Sequence, residues 1–202
     1  MLTKHSSKRP RILIGKDTRK SGDMLEAALT AGLCSMGAKV IPLGVVPTPA
    51  VAYLTRYYKA DAGVVISASH NPCEYNGIKF FNSDGYKLSD GIENEIESYI
   101  LGEKAIEELP THGKVGYVSA NHNAVEDYVA FAVSTIDCRL DGMKIAVDCA
   151  NGASYETAFK ALNKLGANVE AIHNTPDGVN INHMCGSTPV SYTHLTLPTI
   201  LL

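Results

Sequence analysis

The eleven residues AGVVISASHNP, at positions 62–72, join an apolar run to a polar one. Residues 62–66 are apolar and include three β-branched side chains, a composition typical of a buried strand. Two serines, a histidine, an asparagine and a proline follow within the next six residues, and side chains of these types are mostly found outside protein cores. The stretch therefore predicts a core strand that ends at Ile66 and delivers a polar loop.

Further strands are predicted on the amino-terminal side of this stretch. Arg11–Gly15 and Lys39–Leu43 are short runs rich in apolar residues, and Pro42 in the second run favours an edge or the end of its strand. Asp23, with Glu26 three residues later, fits a capping box that starts a helix between these two strands. Strands of this kind alternating with helices are typical of an α/β fold whose sheet is mostly parallel, with helices on both faces.

A hairpin is predicted next, and the alternation of strands and helices then recurs. Asn82-Ser83-Asp84-Gly85 predicts the turn of a hairpin that spans Ile78 to Leu88, which makes the predicted sheet mixed. The order strand, turn, helix, strand recurs over residues 144–172. Gly37-Ala38-Lys39-Val40 and Gly166-Ala167-Asn168-Val169 occupy equivalent corners of the two cycles, which suggests two domains of the same α/β type.

Composition narrows the classes of function. The chain has 202 residues, of which 45% are hydrophobic, and its net charge of -3 is scattered, so neither nucleic acid nor a membrane surface is an expected partner. No apolar run approaches the ~20 residues of a membrane span, and no signal-peptide run is present, which favours a cytoplasmic protein. The five cysteines are widely spaced without a C-x-x-C pair, so we expect reduced thiols.

Polar side chains cluster where two predicted strands end. Ligands of open α/β sheets bind beyond the carboxyl ends of the strands, where Lys16–Gly22 and Ser67–Pro72 are both expected. Asn76–Lys79 adds an amide and an ammonium group nearby. Arginine and lysine beside hydroxyl groups suit a phosphorylated ligand. The alternative is that residues 67–72 form a plain turn, since all of these residue types favour turns.

Ser69 directly precedes His70, and this pair of residue types also suggests a serine hydrolase. On this fold class the nucleophile would normally lie in a G-x-S-x-G turn, and this chain has none around Ser69. Adjacent side chains on an extended backbone also point to opposite sides. Phosphate-binding loops of the Walker and dinucleotide types are absent as well, which argues against a P-loop kinase or a dehydrogenase.

Ser67-Ala68-Ser69-His70-Asn71-Pro72, followed by Asn76-Gly77-Ile78-Lys79-Phe80-Phe81, closely resembles the phosphoserine loop of the α-D-phosphohexomutases. Further segments resemble the bacterial branch of that family that acts on glucosamine phosphates: residues 15–25, 46–54, 148–153 and 176–182. The resemblance extends to about Thr188. It implies phosphohexomutase domain I, the phosphoserine domain, over residues 1–116 and part of a similar domain II over residues 117–188.

The resemblance also implies roles for individual residues. Ser69 would carry a phosphoryl group and exchange it with a hexosamine phosphate, so that glucosamine 6-phosphate and glucosamine 1-phosphate interconvert through a bisphosphate for UDP-N-acetylglucosamine and cell-wall synthesis. His70 and Lys79 would be catalytic, with Lys79 as the proton-transfer group. The residues implied in substrate or phosphate binding are Arg19, Asn71 and Asn76.

A metal ion and a partner copy follow from the same resemblance. Mg²⁺ would bridge the phosphate on Ser69 to a later D-G-D-G-D loop. The parent enzyme, meaning the full-length protein of which this chain would be a part, is expected to act on a hexosamine phosphate and to form a homodimer. Two alternatives stay open. One is a phosphomannomutase or phosphoglucomutase, and the other is a non-catalytic module that binds sugar phosphates.

The chain departs from the family pattern at both ends. The opening strand with G-T-[DS]-G-I-R-G is missing, and the residues after Pro189 match nothing in the family. The segment Val190–Thr199 resembles the translation of a transposon sequencing adapter. We therefore expect residues 189–202 to be a non-native tail, because segments of this origin do not belong to the fold. The rest of the chain is expected to be a fragment that is inactive by itself.

Overall fold

The computed structural model describes residues 8–106, 108–120 and 123–189. Residues 190–202, expected to belong to a non-native tail, lie outside the described residues. The helices and strands follow in this order: β1 Arg11–Lys16, α1 Ser21–Ser35, β2 Lys39–Val45, α2 Thr48–Tyr57, β3 Ala62–Ile66, β4 Ile78–Asn82, α3 Asp90–Ile100, β5 Tyr117–Val118, α4 Ala124–Ser134, β6 Lys144–Asp148, α5 Tyr155–Lys164 and β7 Asn168–Ile172. A short 3₁₀ turn occupies His112–Lys114.

The first sheet is mixed and mostly parallel, as the sequence predicts. Its strand order is β4-β3-β1-β2-β5, and only β4 runs antiparallel to its neighbour. Part of the predicted hairpin is present, since Phe81 of β4 makes an isolated antiparallel bridge with Lys87. The second sheet described consists of the parallel pair β6 and β7. The predicted α/β class is confirmed.

Helices cover both faces of the first sheet because successive side chains of a strand point to opposite faces. Ile12 and Ile14 of β1 are buried in the core on the side of α1, where Leu25 and Leu29 of that helix pack. Leu13 of β1 belongs to the core on the opposite face. This second core also contains four residues from α2 and α4: Ala50, Val51, Leu54 and Ala124.

Pro42 lies inside β2 rather than at its end. β2 has β1 on one side, and on its other side β5 pairs only with Lys39 and Val40. Pro42 therefore lies on a stretch of β2 whose outer edge has no strand partner among the described residues. The register of β1 and β2 also shifts between Ile14 and Gly15, directly beside it. A proline cannot donate a ladder hydrogen bond, so this position agrees with the edge preference.

The first half of the chain, up to the predicted boundary at residue 116, packs against the second half, which follows it. β5 lies in the first sheet, so that sheet continues two residues past the predicted boundary at residue 116. On α4, Phe131 stacks on Tyr53 of α2 with ring centroids 3.8 Å apart. The Tyr58 hydroxyl at the end of α2 donates a hydrogen bond to Asp127 of α4. No helix in the described ranges is long and apolar enough to cross a membrane.

Candidate active site

Three parallel strands end side by side and bring their loops together. Lys16, the last residue of β1, is paired with Val45 of β2 and with Ile66 of β3. Backbone hydrogen bonds continue one residue further, since the Asp17 amide donates to the Ile66 carbonyl at 3.0 Å. The loops after β1 and β3 therefore start from one point, as the strand pattern predicts.

The loop after β3 presents one serine and buries the other. Ser67 is 7% exposed, its amide donates to the Gly77 carbonyl at 2.8 Å, and its hydroxyl oxygen accepts the Ser69 amide at 3.1 Å. Ser69 is exposed and has a φ of 57°, a left-handed conformation that few residues other than glycine adopt. The structure thus leaves the Ser69 hydroxyl accessible and uses Ser67 to hold the loop.

Arg19 lies beneath this loop. Its side chain has no exposed surface, and its guanidinium is paired with Asp17. One terminal nitrogen donates to the Asn71 carbonyl at 2.5 Å and approaches the Ser69 carbonyl at 3.3 Å. A buried guanidinium needs partners of this kind to offset its lost hydration. In this conformation Arg19 supports the loop from behind and does not face the solvent.

Two asparagines of the predicted site contact the loops through different groups. The Asn76 side-chain amide donates to the Ser21 hydroxyl at 2.9 Å and its carbonyl oxygen accepts the Gly77 amide at 2.8 Å. These bonds tie the start of α1 to the segment that leads into β4. Asn71 is exposed, and its backbone amide closes a turn onto the Ala68 carbonyl at 3.2 Å.

The lysines near these strand ends have distinct surroundings. Lys79 is exposed on β4, opposite Val65 of β3. Lys16 is mostly buried and its ammonium group lies 2.6 Å from Asp23 and 2.5 Å from Glu26. Burial lowers the pKa of Lys16, but the hydrogen bonds to these two carboxylates outweigh it and raise the pKa above the ordinary value of 10.5.

The capping box predicted for Asp23 and Glu26 is wrong, because both carboxylates bind Lys16 instead. The helix α1 begins at Ser21, and no side chain makes an N-cap hydrogen bond there.

A cleft of about 250 Å³ opens at the serine loop. Both halves of the chain line it, including Ser69, His70 and Thr48 from the first half and Ser154 and Asn182 from the second. Of the residues predicted for the site, Ser69 and His70 face this cleft. The other four are not among its lining residues: Arg19, Asn71, Asn76 and Lys79.

The second half of the chain contacts both loops directly. The Thr18 hydroxyl donates to the Asn151 carbonyl at 2.5 Å, and the Lys20 amide donates to the Gly178 carbonyl at 2.9 Å. The side-chain amide of Asn182 donates to the carbonyls of Ser69 and Asn71, at 3.1 Å each. Asn182 is not among the residues predicted for the site, and the available signal was its place in the segment 176–182, which resembles the family.

Side chains able to bind a metal come together at the end of β6. Asp148 Oδ1 lies 3.1 Å from His173 Nδ1, and the Cys185 thiol is within 4.8 Å of both groups. Burial, with a smaller contribution from the Asp148 charge, raises the pKa of the Cys185 thiol. The carboxylate also accepts the backbone amides of Ala150 and Gly186, at 2.8 and 2.9 Å, so it closes a turn.

This group does not fit Mg²⁺, which prefers oxygen ligands in an octahedral arrangement, because two of its three ligand types are nitrogen and sulfur. It contains no residue of the loop 67–72. Within the described residues, Ser69 has no group of three or more carboxylate, histidine or cysteine side chains beside it. The described part of the chain alone therefore does not form the magnesium site that the resemblance implies.

Comparison with known proteins decides the family. The sequence model described as "Phosphoglucomutase/phosphomannomutase, alpha/beta/alpha domain I" matches residues 1–107, more than half of the chain. The chain belongs to the phosphoglucomutase/phosphomannomutase family. Within this family, the phosphoglucosamine mutase of Acetivibrio thermocellus is 60% identical over 190 residues, which are 94% of this chain and 42% of the relative. That of Clostridium acetobutylicum is 61% identical over 188 residues, which are 93% and 42%.

A solved member of the phosphoglucomutase/phosphomannomutase family agrees with the fold. The crystal structure of a family protein from Burkholderia thailandensis superimposes with a TM-score of 0.69 at 26% identity, covering 86% of this chain and 38% of that one. The resemblance found in the sequence is confirmed. The chain spans about two fifths of the length of the curated relatives it matches.

Proposed function

We propose that this chain is part of an enzyme that interconverts glucosamine 6-phosphate and glucosamine 1-phosphate, with Ser69 as the phosphoryl carrier. The observation that carries the proposal is the exposure of Ser69 at the cleft while Ser67 is buried. The identity of about 60% to phosphoglucosamine mutases from two bacteria supports this substrate class over glucose or mannose phosphates.

The reaction at Ser69 is a phosphoryl exchange. A sugar hydroxyl oxygen forms a bond to phosphorus while the bond between Ser69 Oγ and phosphorus breaks, and the hydroxyl proton passes to a base. The bisphosphate then turns over in the cleft. Ser69 Oγ then forms a bond to the phosphorus of the other phosphate while the bond from that phosphorus to the sugar oxygen breaks. The base returns the proton to this sugar oxygen, so the phosphoserine is regenerated and the isomer is released. Such transfers depend mainly on positioning and on stabilising negative charge.

The residues around Ser69 divide into groups that face the sugar and groups that position the loop. His70 lines the cleft with Ser69 and is suited to contact the phosphoryl group. Arg19 donates to the Asn71 carbonyl, and the Asn76 side chain donates to the Ser21 hydroxyl and accepts the Gly77 amide. We infer that both residues position the Ser69 loop in this conformation. Proton transfer by Lys79 and phosphate binding by Asn71 stay predictions for the parent enzyme.

Magnesium stays a proposal for the parent enzyme. When bound, Mg²⁺ supplies positive charge opposite the oxygens of the transferring group. This chain would contribute a phosphate oxygen on Ser69, since a phosphoserine carries close to two negative charges. We also expect a cytoplasmic enzyme of cell-wall precursor synthesis that forms a homodimer.

Substitution of Ser69 in the parent enzyme tests the proposal. Ser69→Gly keeps the left-handed backbone accessible, because glycine adopts positive φ without steric cost. We expect conversion of glucosamine 6-phosphate, measured with Mg²⁺ and a trace of the bisphosphate, to fall by about a thousandfold or more because the covalent carrier is lost. Ser134→Ala, which removes an exposed hydroxyl on α4, should leave the rate unchanged.

Two further measurements separate the alternatives. Mass spectrometry of the phosphorylated parent should place the phosphate on Ser69 and not on Ser67. Retained activity in Ser69→Gly would contradict the carrier role of Ser69. A parent that binds glucosamine phosphates without converting them would favour a non-catalytic module that binds sugar phosphates. Faster turnover of glucose or mannose phosphates than of glucosamine phosphates would favour a phosphoglucomutase or phosphomannomutase.

A further inference from the structure

We propose that Asn182 is a positioning residue that fixes the Ser69 loop from the second half of the chain, a role that rests on the proposed phosphoryl transfer at Ser69. Its side-chain amide donates to the carbonyls of Ser69 and Asn71 at 3.1 Å each. These two carbonyls flank His70. The amide group has two hydrogens, so it can serve both carbonyls at once.

The same two carbonyls also accept hydrogen bonds from a residue in the first half of the chain. Arg19 donates to the Asn71 carbonyl at 2.5 Å and lies 3.3 Å from the Ser69 carbonyl. One donor therefore belongs to the loop after β1, and the other belongs to the second half. Together they hold the peptide between Ser69 and His70 and the peptide between Asn71 and Pro72.

This double support matters because the loop backbone is not intrinsically favoured. The φ of 57° at Ser69 is a left-handed conformation, which is less favourable for a serine than the ordinary regions. Such a conformation persists only where surrounding contacts determine it. The backbone at Ser69 sets the direction of its Cα–Cβ bond, so contacts that hold the loop carbonyls also hold the Ser69 side chain at the cleft.

Asn182 can act as a support because its own backbone is anchored. The Asn182 amide donates to the Ala150 carbonyl at 2.9 Å, directly after β6. The next residue, Asn151, accepts the Thr18 hydroxyl at its carbonyl at 2.5 Å. The contact of Asn182 with the serine loop is thus part of the docking of the second half onto the first. Phosphoryl transfer from Ser69 is then sensitive to whether the second half is docked.

Two variants of Asn182 test the contact without relying on activity. Asn182 has a φ of 57°, so Asn182→Gly removes the amide and keeps the backbone accessible. Asn182→Asp keeps the shape of the side chain but turns carboxylate oxygens toward two carbonyl oxygens. Asn163→Ala is the matched control, because the Asn163 amide donates only to the Phe159 carbonyl of its own helix among the described contacts.

Hydrogen exchange of individual backbone amides in this chain, followed by NMR, is the first readout. We expect the Asn71 amide, which closes the turn onto Ala68, to exchange about tenfold faster in both Asn182 variants, as the loss of one net hydrogen bond implies. The control should match the unmodified chain. Unchanged exchange at Asn71 in both variants would overturn the proposal, and faster exchange in both would support the contact.

Steady-state kinetics of the parent enzyme is the second readout. Both Asn182 variants should lower kcat about tenfold with little change in KM, because misaligned transfer slows the chemical step more than binding. Faster loop exchange with an unchanged kcat would overturn the positioning role. A parent with no mutase activity would overturn the proposed function and that role together, whereas the exchange measurement would still decide the contact.

Discussion

Gly63 shows how closely a helix can approach the first sheet. A Cβ at this residue would overlap the Thr55 hydroxyl and lie 3.1 Å from Val51 Cγ1. Thr55 is fully buried on α2, and its hydroxyl is held because it donates to the Val51 carbonyl at 2.7 Å. The missing side chain therefore lets α2 lie directly on β3, the strand that leads into the Ser69 loop.

Substitution of this glycine should destabilise the chain. Gly63→Ala is expected to lower the free energy of unfolding by about 2 kcal/mol, the usual cost of overfilling a packed core. Gly32→Ala is the matched control: Gly32 is exposed within α1, and nothing lies within 4 Å of its added Cβ. It should raise stability by about 0.5–1 kcal/mol, because alanine favours a helix interior.

Urea unfolding followed by circular dichroism measures both changes. Equal midpoints for the two alanine variants would contradict the close packing of α2 on β3. Neither glycine is among the residues that line the cleft, so both variants report on stability and not on the site.

The residues of the site differ in how far the sequence reveals them. The position of Ser69 and His70 at the strand ends could be predicted because a polar loop directly after a core strand is visible in one stretch of sequence, whereas their roles rest on the family resemblance. The supporting role of Asn182 could not, since it depends on how two segments more than a hundred residues apart meet in space. Arg19 was predicted as a phosphate ligand from its charge, and its burial beneath the loop depends on the same packing.

Between elements, ion pairs at the surface connect α4 with α5. Glu126 of α4 lies 2.7 Å from the Lys160 ammonium and 2.9 Å from that of Lys164, both on α5. The hydrogen bond from Lys160, followed by that from Lys164, lowers the pKa of Glu126 from 4.5 to about 2. These groups are at the surface, so salt weakens the connection.

The lowered pKa predicts a pH dependence of stability. Because the folded pKa lies below the unfolded one, the contribution of Glu126 is present above about pH 4.5 and is lost as the pH falls toward 2. Glu126→Gln should therefore be less stable than the unmodified chain at pH 6, and the difference should vanish near pH 2.

Thermal unfolding at a series of pH values measures this difference. Glu170→Gln is the control, since Glu170 is an exposed carboxylate on β7 for which no ion pair is found among the described residues. A gap between Glu126→Gln and the unmodified chain that persists unchanged to pH 2 would contradict the assignment.

The sequence predicts the type and order of the helices and strands better than the residues at which they begin and end. The order of strands and helices follows from apolar periodicity, which the sequence shows directly. The start of α1 does not, because Asp23 and Glu26 fit a local capping pattern yet both bind Lys16 from β1. An ion pair between elements outcompeted a local hydrogen bond, and such competition depends on tertiary placement.

For the whole molecule, α4 is the element that joins the two halves away from the cleft. Its Ala124 is buried in the core of the first sheet, and its Asp127 accepts the Tyr58 hydroxyl. The halves are therefore expected to unfold together, since they share a core on one side and the loop contacts on the other.

Removing one hydroxyl tests this coupling. Tyr58→Phe should lower the free energy of unfolding by about 1 kcal/mol, the net value of a partly buried hydrogen bond. Tyr57→Phe is the matched control, because the neighbouring Tyr57 is 53% exposed and its hydroxyl has no hydrogen bond among the described contacts. That change should stay within about 0.5 kcal/mol.

Urea unfolding monitored at amides of β3 and of β6 by NMR measures both variants. The two strands should lose structure at one midpoint, which Tyr58→Phe lowers for both. Separate midpoints, with only one of them moved, would show that the halves unfold independently.

The contact between Lys20 and Gly178 has an evolutionary consequence. The Lys20 amide and the Gly178 carbonyl are backbone groups, so the lysine side chain takes no part in this hydrogen bond. Gly178 has a φ of 96°, and a Cβ there would lie 3.0 Å from Lys20 Cβ. Position 20 is consequently expected to tolerate many residue types other than proline while the halves remain docked, whereas position 178 is expected to require glycine. Mutational tolerance at this junction is thus unequal across a single hydrogen bond.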